Sequence, residues 1–201
     1  MEKKYNTREE FIIDLLDRGF LKSAQSFSKL IDLPVTISDK HSVSIQLDDK
    51  HLDIYLGSGV LYALSTEFLG ELNGESFLIF TQREVEFFFK GINSGNLKHT
   101  EEEFKHSMLT EIANVISAAT IAELASGLNI EVYGDVPVIQ KLNGYSLQQR
   151  ITAHRTDDFK SAIVLSNHFT IDLDIPIHPV FLWKLDSLIF EKVPNSKIAI
   201  S

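Results

Sequence analysis

The sequence contains no cysteine, which excludes disulfide bonds, thiolate catalysis and cysteine-ligated zinc sites. It is also poor in basic residues, with 19 lysines and arginines against 28 aspartates and glutamates and a formal net charge of −9. This charge argues against nucleic acid as the main partner, because phosphate binding needs clustered lysine and arginine. No run approaches the ~18 apolar residues of a membrane span. The polar start Met1–Tyr5 is unlike a secretory signal. We therefore expect a cytoplasmic protein that does not enter membranes.

The seven histidines do not form a metal-binding pattern. His99 and His106 are two helical turns apart, but no third ligand of suitable type stands at a plausible spacing. The acidic run at 101–103 is explained by a helix start, where the helix dipole favours carboxylates. We expect no metal and no cofactor in this chain.

Hydrophobic periodicity predicts an α+β protein in which long and short helices pack on an antiparallel sheet. A capping-box sequence at 7–10 opens a long helix that ends near Ile31. A second long helix is predicted at 101–127, a short one at 84–92 and a closing one from about Pro179 to Ile189. The predicted strands cover 43–47, 51–56, 60–65, 74–80, 147–154, 160–166 and 169–175.

This element order occurs twice. An offset of 97 residues aligns the two long helices and places Asp14 on Glu111 and Asp17 on Asn114. Such a duplication implies a pseudo-twofold monomer. We expect one domain, 1–201, made of two repeats at about 7–92 and 101–190.

The second long helix carries the pattern S-x-x-x-E-x-x-N at Ser107, Glu111 and Asn114. Steps of four and three residues place these side chains on one strip of a helix, roughly 60° wide. The apolar residues of the same segment lie opposite, so the strip faces solvent. Pro137 follows after a long gap. A carboxylate and a carboxamide on a rigid helix lack a nucleophile of their own. They are therefore suited to assist a reaction that takes place on another molecule.

These residues resemble the signature of the CheC/CheX/FliY phosphatases of chemotaxis. That signature is Asp or Ser, three residues, Glu, two residues, Asn, twenty-two residues and Pro. Ser107, Glu111, Asn114 and Pro137 fill every position, and residues 115–136 supply the gap. The resemblance implies a CheC-like fold with pseudo-twofold duplication.

The resemblance extends beyond the motif. Residues 14–17 and 27–30 are similar to the first helix of a two-repeat CheC, and 70–76 to the turn and strand before its short helix. The sequence departs from the family at Ala113 and Ala118, where glycines are usual.

The family's substrate is a phosphorylated CheY-like response regulator, whose receiver domain carries the aspartyl phosphate, a Mg²⁺ ion and a lysine. The resemblance implies that Asn114 orients the attacking water, as a glutamine does in GTPases. It implies that Glu111 pairs with the receiver's lysine. Ser107 would contribute to docking or helix positioning, and Pro137 would fix the chain direction where a strand begins. Mg²⁺ is expected only in the receiver.

The first repeat departs from this pattern. Its aligned positions hold Glu10, Asp14, Asp17 and Lys40. An ionised Asp17 cannot donate a hydrogen bond and would repel phosphoryl oxygens. We therefore expect a degenerate first site and a single active site in the second repeat.

The sequence leaves a second class of function open. An inactive CheC-like or FliM-like flagellar-switch adaptor would keep the fold and the receiver surface without turnover. Binding of a CheD-type deamidase is compatible with either function. Exposure of Asn114 discriminates between them, because a covered amide could not reach a water inside another protein.

Overall fold

The computed structural model describes residues 4–43, 59–92, 102–152 and 162–199. These residues form four α-helices, seven strands and two short 3₁₀ helices. In chain order they are α1 (Arg8–Ile31), β1 (Val35–Val43), β2 (Leu61–Gly70), β3 (Gly74–Thr81), α2 (Gln82–Ile92), α3 (Glu102–Leu128), β4 (Val132–Gly134), β5 (Val138–Leu142), α4 (Gly144–Thr152), β6 (Ala162–Ile171), β7 (Val180–Asp186), and the 3₁₀ helices Ser187–Lys192 and Asn195–Lys197.

The ends of α1 follow from local sequence. Thr7 is its N-cap, and the Thr7 hydroxyl accepts the backbone N–H of Glu10 at 3.1 Å. The Glu10 carboxylate reaches back to the backbone N–H of Asn6 at 2.9 Å. Asp32 ends the helix with φ 55°, and its N–H donates to the Ser28 carbonyl. The predicted capping box therefore does cap α1, with its reciprocal bond displaced by one residue.

The strands form one antiparallel sheet in the order β1-β6-β7-β3-β2-β4, and β5 also pairs with β2. The β3 and β7 strands lie at its centre. The β1 strand pairs with β6 at one end, and β4 and β5 pair with β2 at the other. The order β1-β6-β7 from one end corresponds to β4-β2-β3 from the other, because β1, β2 and β3 follow α1 along the chain as β4, β6 and β7 follow α3.

Helices cover both faces of the sheet. On one face, β7 contributes Phe181 and Trp183 to the main core beneath α1 and α3. Phe20 of α1 packs edge-on against Phe181, with ring centroids 5.6 Å apart. On the other face, Leu147 and Ile151 of α4 close a smaller apolar cluster on β2, β3 and β7.

Two of the predicted elements are wrong. The closing helix from Pro179 to Ile189 is instead the strand β7 followed by the 3₁₀ helix Ser187–Lys192. All seven residues of β7 are buried, because it is a central strand covered on both faces. Such a strand reads as a continuous apolar run without the alternation that would distinguish it from a helix.

The predicted strand at 147–154 is also wrong, because its described part belongs to α4. The carbonyl oxygen of the Asn143 side chain accepts the backbone N–H of Ser146 at 2.8 Å. This bond caps the start of α4, a role for which asparagine is favoured. The predicted strands at 160–166 and 169–175 are a single strand, β6, which ends at Ile171, so the prediction is wrong for 172–175. The predicted strand at 51–56 lies outside the described residues, as does all of 43–47 except Val43.

Candidate functional site

The helix α3 presents Ser107, Glu111 and Asn114 to solvent. The opposite side of α3 packs in the hydrophobic core, where Leu109 and Ile112 are completely buried. The three motif residues thus lie on one exposed strip of a 27-residue helix. We call this strip the α3 strip.

The polar groups of the α3 strip have no partner within the chain as far as it is described. Neither Glu111 nor Asn114 makes a side-chain hydrogen bond or ion pair with any of residues 4–43, 59–92, 102–152 or 162–199. Both side chains are therefore available to an external molecule. An exposed carboxamide offers one acceptor and two donor positions, and an ionised carboxylate offers acceptors only.

A buried hydroxyl cluster joins α3 to the sheet. The Ser117 hydroxyl donates to the Thr66 hydroxyl oxygen of β2 at 3.2 Å. It also lies 2.9 Å from the Ser76 hydroxyl of β3. All three side chains are at most 2% exposed. We call Thr66, Ser76 and Ser117 the sheet hydroxyl cluster.

A second hydroxyl contact joins α3 to α1. The Ser23 hydroxyl donates to the Ile116 carbonyl oxygen at 2.7 Å and lies 2.7 Å from the Thr120 hydroxyl. The helices approach closely here: a Cβ on Gly19 would lie 2.4 Å from Thr120 Cγ2. The helix that carries the motif is thus held from two sides by buried hydrogen bonds, which makes it a rigid platform.

The start of α3 is tied to the edge of the sheet. The Lys141 ammonium of β5 donates to the Glu102 carboxylate and lies 4.9 Å from the centre of the Tyr62 ring. The hydrogen bond from Lys141 lowers the pKa of Glu102 below its ordinary value. In turn, the hydrogen bond to Glu102, followed by the one to Tyr62, raises the pKa of Lys141. Both groups are exposed, so water screens the pair.

Pro137 lies buried between β4 and β5. These strands run beside α3, because a Cβ on Gly134 would lie 3.0 Å from Ile121 Cδ1 and because Lys141 contacts Glu102. Pro137 falls between those two contacts along the strands, and Asn114 falls between them along the helix. A proline suits this interruption, where it needs no partner for a backbone N–H. The placement agrees with a structural role.

The positions of α1 that align with the motif at an offset of 97 residues make contacts within the chain. Asp14 accepts the Tyr5 hydroxyl at 2.8 Å and lies 3.5 Å from Arg18 Nε. Arg18 in turn lies 3.7 Å from the Glu123 carboxylate of α3. Glu10 caps the helix start. We call Glu10, Asp14 and Asp17 the α1 strip.

The two ends of the described chain meet beside the α1 strip. The Tyr5 N–H donates to the Lys197 carbonyl at 3.0 Å, and the Ala199 N–H donates to the Tyr5 carbonyl at 2.8 Å. Tyr5 is 7% exposed. Lys40 lies in β1, opposite Asn167 of β6.

Over the four described ranges, no group of three or more histidine, aspartate or glutamate side chains could hold a metal ion. His106 is exposed on α3, and His99 lies outside the described residues. By length and composition α3 could cross a bilayer. The same apolarity is what a core helix needs, and here it faces α1 and the sheet.

Sequence reasoning missed the sheet hydroxyl cluster and the closure at Tyr5. A signal for the cluster was present, because Ser117 falls on the apolar side of α3. A serine at such a position must find a partner in the core. The partners lie in distant strands, so periodicity alone could not name them.

No protein-family model and no curated protein sequence matches the chain. FliY from Thermotoga maritima has a similar structure, with a TM-score of 0.60, 18% identity and coverage of 92% of both chains. CheX from Desulfovibrio desulfuricans gives a TM-score of 0.58 at 13% identity, covering 86% of this chain and 99% of its own.

The chain has the CheC/CheX/FliY fold. The likeness also extends to the middle domain of FliM from Vibrio alginolyticus, with a TM-score of 0.56, 9% identity and coverage of 89% of this chain and 95% of the FliM domain. The fold predicted from the motif and the element order is thus confirmed. At identities of 18, 13 and 9%, the likeness shows the CheC-like fold alone.

Proposed function

We propose that this chain is a CheC-like phosphatase that hydrolyses the aspartyl phosphate of a CheY-like response regulator. The observation that carries the proposal is the α3 strip. Glu111 and Asn114 stand exposed and side by side on a firmly anchored helix, without partners among the described residues. The CheC/CheX/FliY fold supports the same assignment.

Asn114 positions the water molecule for the chemical step. A water molecule attacks phosphorus in line with the bond to the aspartyl oxygen, and that bond breaks to release phosphate and restore the carboxylate. The Asn114 carboxamide accepts one hydrogen bond from this water and donates another, which fixes the water's direction. Because the carboxamide is neutral, it adds no repulsion to the phosphoryl oxygens.

Glu111 supplies the docking contact. It stands one turn before Asn114 and is exposed, so it can pair with the lysine that a receiver domain holds beside its phosphoaspartate. A charge-assisted hydrogen bond of this kind fixes the register of two proteins and becomes stronger as the interface excludes water. The Mg²⁺ ion belongs to the receiver.

The proposal includes one active site in a two-repeat monomer. The symmetric strand order supports the duplication. So does the contact between Ser23 and Thr120, which are 97 residues apart, the same offset that aligns the motif with its degenerate counterpart. A twofold axis brings equivalent residues together where it passes between two antiparallel helices. Superposing 7–92 on 101–190 tests this organisation.

A second candidate is an adaptor without turnover, which would dock a receiver or a CheD-type deamidase. The fold match to the FliM middle domain favours it, as does the acidic α1 strip. Both candidates place the protein in the cytoplasm with chemotaxis partners. They differ only in whether the bound receiver loses its phosphate.

The experiment that separates them is phosphate release from a panel of the host's phosphorylated CheY-like receivers. Each receiver is phosphorylated with a small-molecule phosphodonor, the donor is removed, and phosphate is followed with and without this protein at one-twentieth of the receiver concentration. The phosphatase proposal predicts accelerated release from at least one receiver. Binding to a receiver with no acceleration in the whole panel would support the adaptor.

A further inference from the structure

The sheet hydroxyl cluster has an unusual place in this molecule. It lies under α3, where the surrounding core is apolar, and it ties the helix to two strands at once. The Ser117 hydroxyl donates to Thr66, so the Ser76 hydroxyl is the donor to Ser117. Each of the three oxygens therefore takes part in a short chain of hydrogen bonds that spans β3, α3 and β2.

The cluster lies next to the proposed catalytic amide. Ser117 follows Asn114 by three residues, so the two side chains belong to adjacent turns and are separated by about 60° around the helix axis. Asn114 faces out and Ser117 faces the sheet. Any rotation or lift of α3 at Ser117 is therefore passed directly to Asn114.

Thr66 adds a second constraint at the same point. The Thr66 methyl group faces Gly134 of β4, because a Cβ on Gly134 would lie 2.9 Å from Thr66 Cγ2. Pro137 follows β4 by three residues. The Thr66 hydroxyl oxygen accepts the hydrogen bond from Ser117. Thr66 thus links the helix of the motif to the strands beside the motif proline.

The aligned position in the first repeat has no such tie. A shift of 97 residues takes Ser117 to Phe20, which is buried and packs on Phe181. An aromatic contact fills space but leaves the rotation of a helix less defined than a directional hydrogen bond does. The sheet hydroxyl cluster therefore lies under the intact motif, and the aligned position under the degenerate motif is filled by the aromatic ring of Phe20.

We infer that Ser117 and Thr66 are positioning residues for the phosphatase reaction, which hold α3 at the rotation where Asn114 can orient the water. The inference rests on the proposed function. It predicts that loss of the cluster lowers kcat more than it weakens receiver binding, because docking tolerates small displacements that an in-line attack does not.

Ser117→Ala and Ser23→Ala make a matched pair. Both substitutions remove one fully buried serine hydroxyl that has two partners. One cuts the tie of α3 to the sheet and the other cuts its tie to α1. We expect similar losses in Tm. We expect kcat for the phosphorylated receiver to fall about three- to tenfold in Ser117→Ala and less than about twofold in Ser23→Ala. Affinity for the beryllofluoride-loaded receiver should change by less than about twofold in both.

Thr66→Val and Thr66→Ser extend the test at the acceptor. Valine keeps the shape but puts a methyl group 3.2 Å from the Ser117 oxygen, closer than carbon and oxygen normally pack, so α3 must move outward. Serine keeps the hydroxyl. We expect reduced kcat in Thr66→Val and a kcat within about twofold of wild type in Thr66→Ser.

A measurement without the receiver keeps the two claims separable. The side-chain amide resonances of Asn114, assigned by NMR, should shift in Ser117→Ala and Thr66→Val and stay in place in Ser23→Ala. Equal kcat losses in Ser117→Ala and Ser23→Ala, or unshifted Asn114 resonances, would overturn the positioning role. A wild-type protein that never releases phosphate would overturn the phosphatase proposal instead, and the NMR comparison would still decide whether the cluster positions Asn114.

Discussion

The α1 strip and the α3 strip occupy aligned positions on two long helices, yet their polar groups are used differently. Asp14 bonds to Tyr5 and Arg18, and Glu10 caps its own helix. Glu111 and Asn114 have no partner among the described residues. The α1 strip makes contacts within the chain, and the α3 strip leaves its carboxylate and its amide available to an external molecule. Two helices with aligned positions can therefore differ in function through a few side chains.

The strips also differ in charge. Asp17 stands where the α3 strip has the neutral Asn114, and an ionised carboxylate near a phosphoryl group is repelled. The Asp14 carboxylate is also held by Tyr5 and Arg18. Both differences predict that only one of the two strips supports turnover.

Asn114→Ala should have the largest effect on this comparison. In the proposed reaction this substitution removes the amide that orients the water, and it leaves the proposed docking surface nearly unchanged. Receiver dephosphorylation should fall by about one to three orders of magnitude, while binding to the beryllofluoride-loaded receiver persists. The matched control, Asp17→Ala on α1, should leave both quantities near wild type. An equal loss in the control would mean that the strips are not functionally different.

Glu111→Ala should affect docking as well as turnover. A carboxylate that pairs with the receiver's lysine contributes to the complex itself, so affinity should fall about tenfold or more and turnover should fall with it. Calorimetric titration of the loaded receiver measures the affinity. Glu103→Ala removes another exposed carboxylate from the same helix and should change affinity little. Unchanged affinity in Glu111→Ala would remove the assigned docking contact.

Gly19→Ala tests how closely the helices that carry the strips must approach. A Cβ would lie 2.4 Å from Thr120 Cγ2 and 3.0 Å from the Thr120 backbone, so α1 and α3 must separate. We expect a loss of about 1–3 kcal/mol in the free energy of unfolding. Urea unfolding followed by the fluorescence of Trp183, the sole tryptophan and fully buried, measures it. Leu21→Ala, at an exposed position of the same helix, should change stability by no more than about 0.5 kcal/mol.

Glu102→Gln should have the smallest effect, and one that depends on pH. The pKa of Glu102 is lowered by the hydrogen bond from Lys141. A carboxylate with a lowered pKa contributes its stability fully above its ordinary value of 4.5 and loses it as the pH falls below that value. Wild type should therefore be slightly more stable than Glu102→Gln at neutral pH, and the difference should vanish in acid. Thermal unfolding at pH 7 and pH 3 checks the sign, and a difference that grew in acid would contradict it.

The sequence was sufficient to predict the parts of the fold that depend on local signals. The long helices α1 and α3 follow from caps and periodicity, and β3 follows from the Asn73–Gly74 turn at its start. The short helix predicted at 84–92 is α2, which begins two residues earlier, at Gln82. β7 could not be recognised, because a strand buried on both faces and a buried helix give the same apolar run. α4 was missed although Asn143 offered a cap, since its Leu147 and Ile151 also fit a short strand.

The candidate site shows a similar limit. The spacing of Ser107, Glu111 and Asn114 was enough to predict a shared exposed strip, because helix geometry relates residues close in sequence. The hydroxyls of Thr66 and Ser76 under Ser117, and the hydroxyl of Tyr5 on Asp14, come from tertiary packing. Nothing in local spacing could pair them.

The most direct test of the account compares wild type with Asn114→Asp, which gives the α3 strip the side chain that the α1 strip has at the aligned position. A receiver that binds the protein is labelled with radioactive phosphate, and loss of label is followed at a substoichiometric concentration of each protein. If Asn114 orients the attacking water, wild type shortens the lifetime of the label, and Asn114→Asp loses this effect while it still binds the receiver. Retained acceleration in Asn114→Asp, or a wild-type protein that binds the receiver and never accelerates the loss of label, would contradict this role of Asn114.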